Sequence, residues 1–384
     1  MDDARFTLTE ELEQFRGLVR EIAEENIRPR AIEVDETDEW PKDVWELLVE
    51  NELMAVGYPE EFGGAGGGSL TFAVMIEEIS RVSAGVSLTP LVARLGAIPI
   101  MLAGTDEQKR ALCGGISRGD HLMSYCLTEP GSGSDSVAMR TRYERRDDGF
   151  VLTGTKRFIT GAGVSDAYTV FATADPELRS KGIACFLVYR DDAGVSFGKE
   201  ERKMGIHGSP TREVYMERAE IPSHRLIGEE GGGFRLAMRT LDYSRPTIAA
   251  QALGIAQGAF DIASRYMTER EQFGKKIAEF QGLQFMLADM AMEIEASRML
   301  VYRAASAVDA GDPRMTYHAA VAKAYAGDAA MKVTTDAVQI LGGYGYMREY
   351  EVERYMRDAK ALQIVEGTNQ VQRMIIGRHL AGRD

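Results

Sequence analysis

Apolar residues along this 384-residue chain change their spacing twice, and that switch restricts its architecture more than any single residue does. In residues 1–121 they recur at helical intervals. Thr7 and Glu10 form a capping-box pattern, in which each side chain satisfies a free backbone N–H at a helix start. Leu12, Phe15, Val19 and Ile22 follow on one face, and Pro29, lacking an N–H, is expected to stop the run. Helical pattern resumes at Lys42–Leu53 and Leu70–Ser83, on either side of a glycine-rich stretch from Gly63 to Gly68 that reads as a flexible loop.

Residues 122–229 have another texture. Phe150–Leu152, Ala167–Ala172, Ile183–Tyr189 and Glu213–Met216 are short β-branched or aromatic runs separated by Gly, Asp and Pro. Helical spacing returns after Gly233, most clearly at Leu283, Met286, Leu287, Met290 and Ile294, where the methionines read as core filler. It continues through Asp336–Leu341, Glu351–Asp358 and Val371–Leu380. The expected fold class is α+β: a helical N-terminal domain (1–121), a middle antiparallel β-barrel or sandwich domain (122–229) and a C-terminal four-helix bundle (230–384).

The order excludes several functions by what it lacks. No strand leads into GxGxxG and a helix, and no GxxxxGK[ST] occurs, which disfavours Rossmann and P-loop nucleotide folds. The five histidines, His121, His207, His224, His318 and His379, include no HxxxH pair, so no metal site is expected. A formal charge of −14 argues against nucleic-acid binding. Cys113, Cys126 and Cys185 are few, odd in number and widely spaced, which suits a reducing compartment. The polar start, MDDARFTLTEELEQ, carries no signal-peptide pattern, and apolar stretches break well short of ~18 residues. A cytoplasmic protein without a membrane span is expected.

Three clusters carry possible chemistry. In Tyr125–Asp135 the small residues 131–134 permit close backbone approach to a ligand, although a tight turn into the β segment explains them as well. In Gln339–Tyr346, Gly342 and Gly343 expose backbone at a helix end, and capping alone accounts for them equally. In Ile364–Gln370, Glu366 lies between an apolar pair and a glycine. Burial there would raise its pKa towards the range useful to a base, while a helix-start acid capped by Thr368 or Asn369 is the alternative.

Together, in this order, the clusters identify a family. From Phe6 to Leu380 the chain resembles the acyl-CoA dehydrogenases, through CLTEPGSGSDSVA at Cys126–Ala138, QILGGYGYMREYEVERYMRD at Gln339–Asp358, and EGTNQVQR from Glu366. The resemblance implies three domains of the kind read from the spacing, FAD as cofactor, and a homotetramer built as a dimer of dimers. It implies oxidation of the Cα–Cβ bond of an acyl-CoA thioester to a trans-2-enoyl product, with electrons passed to an electron-transfer flavoprotein. By the same resemblance Glu366 is the base that removes the α-proton while the β-hydrogen leaves as hydride to flavin N5. Preorganised donors at the carbonyl oxygen, the Glu366 backbone N–H among them, would stabilise the developing enolate charge.

Other positions carry over individually. Tyr125, Leu127, Thr128, Gly133 and Ser134 match the segment lining the flavin, and Phe158, Ile159 and Thr160 the strand behind it. Many relatives have Trp at the position of Phe158, so an indole N–H contact is absent here. Arg270, Gln272 and Phe273 resemble residues that reach the FAD pyrophosphate and adenosine across a dimer interface. Gln281, Gln339, Gly342 and Gly343 fit the same site, and Thr368 and Gln370 follow the base. Asp242, Tyr243, Ser244 and Arg245 match acyl-CoA contacts, as do Ser134 and Gly367, although an internal ion pair with Asp242 is the alternative for Arg245. Some relatives place the base at or near the position of Ser244, and a serine there strengthens Glu366. Leu88, Leu91, Val92 and Ala97 suit an aliphatic acyl chain. Arg94 is expected at a surface or interface, with pairing to a distal carboxylate as the exception.

Overall fold

The computed structural model describes residues 8–382. Six helices come first: α1 (Glu10–Ile22), α2 (Arg28–Thr37), α3 (Lys42–Glu50), α4 (Gly68–Ser80), α5 (Ala84–Ala103) and α6 (Asp106–Arg118). Thr7 lies outside the described residues. Thr9 caps α1 instead, its hydroxyl accepting from the Leu12 N–H at 3.3 Å. Pro29 does not stop the run as expected. Helix α1 passes through a π-helical turn, Ala23–Ile27, into α2, and Pro29 falls in the first turn of α2, where a missing N–H costs no helical bond. The Gly63–Gly68 stretch is a closed turn, with Gly66 N donating to Tyr58 O at 2.8 Å and Gly57 N to Gly66 O at 2.7 Å.

Helix α5 holds Pro90 and Pro99 and is, among the described residues, the one helix long and apolar enough to cross a membrane. The sequence concealed this because Arg94 interrupts the run. Most of α5 is buried inside the protein, including Arg94, and it is the central helix of the N-terminal group.

Eight strands follow: β1 (Met123–Cys126), β2 (Arg142–Arg146), β3 (Gly149–Thr160), β4 (Ala167–Thr173), β5 (Ile183–Tyr189), β6 (Val195–Phe197), β7 (Thr211–Pro222) and β8 (Leu226–Ile227). They form one sheet in the order β6-β7-β3-β2-β4-β5-β8, with β1 beside β4. The ladders are antiparallel apart from β1 with β4 and a single Arg142–Thr173 pairing of β2 with β4, which are parallel. Strands β4 and β5 are buried on both faces, which explains their unbroken apolar sequences. Phe171, Ile183, Cys185 and Leu187 face the helices, whereas Tyr168, Val170, Phe186 and Val188 face the sheet interior, the period of two expected of strands.

The remaining helices are α7 (Gly233–Glu269), α8 (Gln281–Asp309), α9 (Met315–Leu341), α10 (Val352–Leu362) and α11 (Asn369–Leu380). The first four make the expected bundle, and α11 packs on α9 as a fifth helix. Met290 and Ile294 are fully buried on the apolar face of α8.

Helix α5 lies flush on the β domain because two of its residues have no side chain. A Cβ at Gly85 would stand 1.8 Å from the His207 carbonyl oxygen, and one at Gly96 would stand 2.9 Å from the Ser124 nitrogen. The Gly96 carbonyl also accepts from Thr169 Oγ1 at 3.1 Å. Gly85→Ala is therefore expected to destabilise the protein by about 3 kcal/mol through backbone overpacking. Gly17→Ala, on an exposed helical position with open space around its Cα, should stabilise it by about 0.5–1 kcal/mol. Thermal melting of the holoprotein reads both, with shifts of opposite sign.

Candidate active site

The turn between α10 and α11 carries Glu366. Glu366 has φ +54° and Gly367 φ +89°, two successive left-handed residues. The φ of Gly367 favours glycine there, and a side chain would displace the Gln372 amide, whose Nε2 would lie 2.7 Å from its Cβ. For Glu366 the conformation costs about 1–2 kcal/mol. Donors from three helices offset it. Arg245 Nε (α7) donates to the Glu366 carbonyl at 3.4 Å, and Gln372 Nε2 (α11) donates to the Glu366 and Gly367 carbonyls at 3.3 and 2.9 Å. Lys323 Nζ (α9) donates to the Gly367 carbonyl at 2.9 Å and to Asn369 Oδ1 at 3.0 Å. Thr368 caps α11 by accepting from the Val371 N–H.

The carboxylate points at α7, where Ser244 Oγ donates to Glu366 Oε2. Part of the Glu366 side chain retains accessible surface, but the carboxylate lies deep enough for desolvation to dominate, and burial raises its pKa. Three opposing influences, the Ser244 hydrogen bond and the Arg245 and Lys323 charges, pull it down. Glu366 is thus a buried carboxylate and not simply a helix-start acid. Arg245 is held internally: Nη1 donates to Asp242 Oδ1 at 2.8 Å, and Thr316 Oγ1 donates to Asp242 Oδ2 at 2.7 Å. Tyr243, next to this buried pair, is half-buried.

Strand β1 reaches the same place. Burial lifts the Tyr125 phenol well above its ordinary pKa, and the Glu366 and Arg245 charges both act on it. The following loop is fixed by Glu129, which accepts from the Arg140 and Thr141 N–H groups, and by buried Lys156, which donates to Glu129 Oε1 at 2.7 Å and to the Leu127 carbonyl at 3.1 Å. Leu127 packs into the core, Thr128 is half-buried, and Gly133 and Ser134 are exposed. A bulge between Lys156 and Ile159 reverses the alternation of β3. Phe158, with φ +58°, therefore faces outward at 59% exposure while Ile159 turns into the sheet interior. Ile159 can meet a ligand only through its backbone. Thr160 shares a small cleft with Leu88 and Val92 of α5, whereas Leu91 and Ala97 are buried in the core.

Arg94 is not at a surface. It is 4% exposed, lies 4.6 Å from the Phe72 ring centroid and donates to Ser69 Oγ at 3.1 Å.

A second place collects the other predicted residues. Arg270, Gln272, Phe273, Gln339, Gly342 and Gly343 line an open groove of about 900 Å³, where the Arg270 guanidinium lies 5.3 Å from the Tyr344 ring centroid. Gln281 starts α8 beside it, and Phe273 is 94% exposed. Neither the Tyr125–Ser134 loop nor the Glu366–Gln370 turn lines this groove, and Gln370 is exposed beside Glu366. The structure thus separates the groove residues from both the Tyr125–Ser134 loop and the Glu366–Gln370 turn. A Cβ at Gly131, Gly133, Gly282 or Gly343 would meet nothing within 4 Å. The chain's own packing does not demand these glycines, and their bare backbone suits a large ligand lying against it.

The sequence motifs do not reveal Lys323, which holds the turn, or Lys156, which holds the loop; Asn369 and Gln372 fall within EGTNQVQR, where nothing in the motif marks them as supports of the turn. The available signal was a lone lysine in the alanine-rich stretch HAAVAKAYAG.

Comparison with known proteins decides the family. Models of the acyl-CoA dehydrogenase N-terminal, middle and C-terminal domains match residues 9–120, 124–219 and 231–381. The chain belongs to the acyl-CoA dehydrogenase family. It is 47% identical to a probable acyl-CoA dehydrogenase of Mycobacterium tuberculosis over 98% of this chain and 96% of that one. Butyryl-CoA dehydrogenase from Megasphaera elsdenii superposes with a TM-score of 0.95 at 41% identity, covering 99% of this chain and all of that one. A chain from a structure described as the electron transferring flavoprotein of Acidaminococcus fermentans gives 0.96 at 45% identity, covering both chains fully.

As an acyl-CoA dehydrogenase, the protein offers a direct test of the Ser244 contact. A base works ionised, so activity climbs as pH rises through the carboxyl pKa. Ser244→Ala removes an influence that lowers the Glu366 pKa, so if Glu366 is the base the acidic limb of kcat/KM should move to higher pH. An unmoved limb would show that the hydroxyl does not tune Glu366.

Proposed function

We propose that the protein desaturates an acyl-CoA thioester between Cα and Cβ to the trans-2-enoyl product, with Glu366 as the base and an electron-transfer flavoprotein as acceptor. The observation that carries this reading is the left-handed Glu366–Gly367 turn, which sets a desolvated carboxylate against Ser244 and Arg245. A thioester α-carbon is weakly acidic, so its proton must meet an ionised base while the carbonyl oxygen meets donors. Burial makes Glu366 more basic than a solvated carboxylate, while the Ser244 hydrogen bond and the Arg245 charge pull the other way. No backbone or side-chain acceptor among the described residues takes the Glu366 N–H, which leaves it for the thioester oxygen. Leu88 and Val92 suit an apolar acyl chain beside Thr160.

FAD is the cofactor, and when bound it supplies the acceptor for the two electrons. The residues to hold it are Tyr125, Leu127, Thr128, Gly133, Ser134, Phe158, the Ile159 backbone, Thr160, Thr368 and Gln370 at one place. Arg270, Gln272, Phe273, Gln281, Gln339, Gly342 and Gly343 serve at the other. The separation of the two sets within one chain, and the exposure of Phe273 on its hairpin, support a dinucleotide site shared between two copies in a homotetramer. On this reading Ser134, Asp242, Tyr243, Ser244, Arg245 and Gly367 border the acyl-CoA, with Arg245 acting through its Asp242 pair and the Glu366 carbonyl. The resemblance to the Acidaminococcus fermentans chain supports the flavoprotein partner. Buried, unpaired Cys113, Cys126 and Cys185 suit the cytoplasm.

Glu366→Gln should keep the yellow colour and bind acyl-CoA, yet lose anaerobic bleaching of the flavin by about 10²-fold or more, as expected for a lost general base. Bleaching of Glu366→Gln at the unmutated rate sinks the assignment. Phe273→Asp should weaken FAD retention and shift the mass in solution below that of the tetramer. A yellow tetramer of this variant would remove Phe273 from the shared site.

A further inference from the structure

Lys323 is the one charged side chain that bonds directly to the backbone of the Glu366–Gly367 turn from α9, and the proposed reaction gives it no role of its own. It is 1% exposed within a helical stretch of alanines. Its ammonium donates to the Gly367 carbonyl and to Asn369 Oδ1. Asn369 Nδ2 in turn donates to the Ala324 carbonyl and to Asp328 Oδ1, which also accepts from Gln363 Nε2. Both ends of the turn, Gln363 and Asn369, are thereby tied to one face of α9, and Lys323 secures its middle.

A lysine is a costly way to make one hydrogen bond in a protein interior. Burial alone would drive it neutral, and it holds the Lys323 pKa down to about 8. The groups facing it are Glu366 from the turn, Arg245 from α7 and Asp328 from its own helix. Asp328 is already paired with Arg373 of α11, and Arg245 with Asp242. Glu366 is the carboxylate left to balance the ammonium, and the influence runs both ways, since Lys323 lowers the Glu366 pKa.

We propose that Lys323 is a positioning residue for Glu366: it fixes the left-handed turn through the Gly367 carbonyl and keeps the Glu366 carboxylate ionised through its charge. The proposal rests on Glu366 being the base, and the two can fail separately.

The test uses Lys323→Met, which removes charge and hydrogen bond, and Lys323→Gln, which keeps a hydrogen-bonding tip without charge. Both are purified as FAD-bound protein. Two readouts are taken across pH: the flavin-reduction rate with acyl-CoA, and the infrared band of the protonated Glu366 carboxyl, identified by its loss in Glu366→Gln. Loss of the charge should move the carboxyl titration and the acidic limb of kcat/KM to higher pH in both variants. Loss of the anchor should lower kcat in Lys323→Met by on the order of 10²-fold with KM little changed, as for an ångström-scale misplacement. Lys323→Gln should recover part of that loss, and it decides the question should Lys323→Met fail to retain FAD. Titration and rate unmoved in the FAD-bound variants overturn the proposal, while a Glu366→Gln variant that still reduces its flavin overturns the base assignment beneath it.

Discussion

The site depends on one backbone constraint, the pair of left-handed residues at Glu366 and Gly367. A glutamate placed there by helix or strand geometry would direct its side chain elsewhere, so the turn determines where the carboxylate goes. Its conformational cost of about 1–2 kcal/mol is met by hydrogen bonds each worth about 1 kcal/mol net. Those bonds come from α7, α9 and α11. The turn is consequently rigid only when all three helices are in place. Packing of the C-terminal bundle and placement of the carboxylate are one event.

The β domain uses the same device. Buried Lys156 donates to the Leu127 carbonyl and pairs with Glu129, whose oxygens also take two backbone N–H groups from residues 140 and 141. A buried ion pair contributes little to stability compared with apolar residues of the same volume. Its effect here is to tie the two ends of the Glu129–Ala138 loop to β3, leaving Gly131 and Gly133 facing open space. The loop and the turn thus each have a buried ammonium behind their backbone.

The fold was legible where periodicity was clean. The doubly buried strands β4 and β5 stood out as continuous apolar runs, and the apolar face of α8 as a helical repeat. Pro29 misled because its missing N–H matters only when a helix must supply an acceptor for it, and a π-turn removed that need. Arg94 hid the length of α5, since nothing local distinguishes a solvated arginine from one stacked on Phe72. In the site, Glu366 and the glycines were readable through motifs. Lys323 was not, because it reaches the turn from a separate helix, 44 and 46 residues away from the groups it bonds.

The charges around the turn sum to a neutral group. Asp242 offsets Arg245 and, with Lys323 as the positioning cation, Glu366 offsets Lys323, all four within a desolvated region. Neutrality lets Glu366 stay ionised without an uncompensated buried charge. It also sets the consequence of proton uptake. On the proposed reaction, once Glu366 is protonated the group would carry one net positive charge, beside the negative charge that would develop on the thioester oxygen. The attraction that resisted protonating Glu366 then acts on the enolate, in a medium of low dielectric where it is strongest. The same two cations therefore oppose the first half of the proton transfer and favour the second. A site with Glu366 but neither cation would hold a stronger base, and one less able to stabilise the enolate that this base produces.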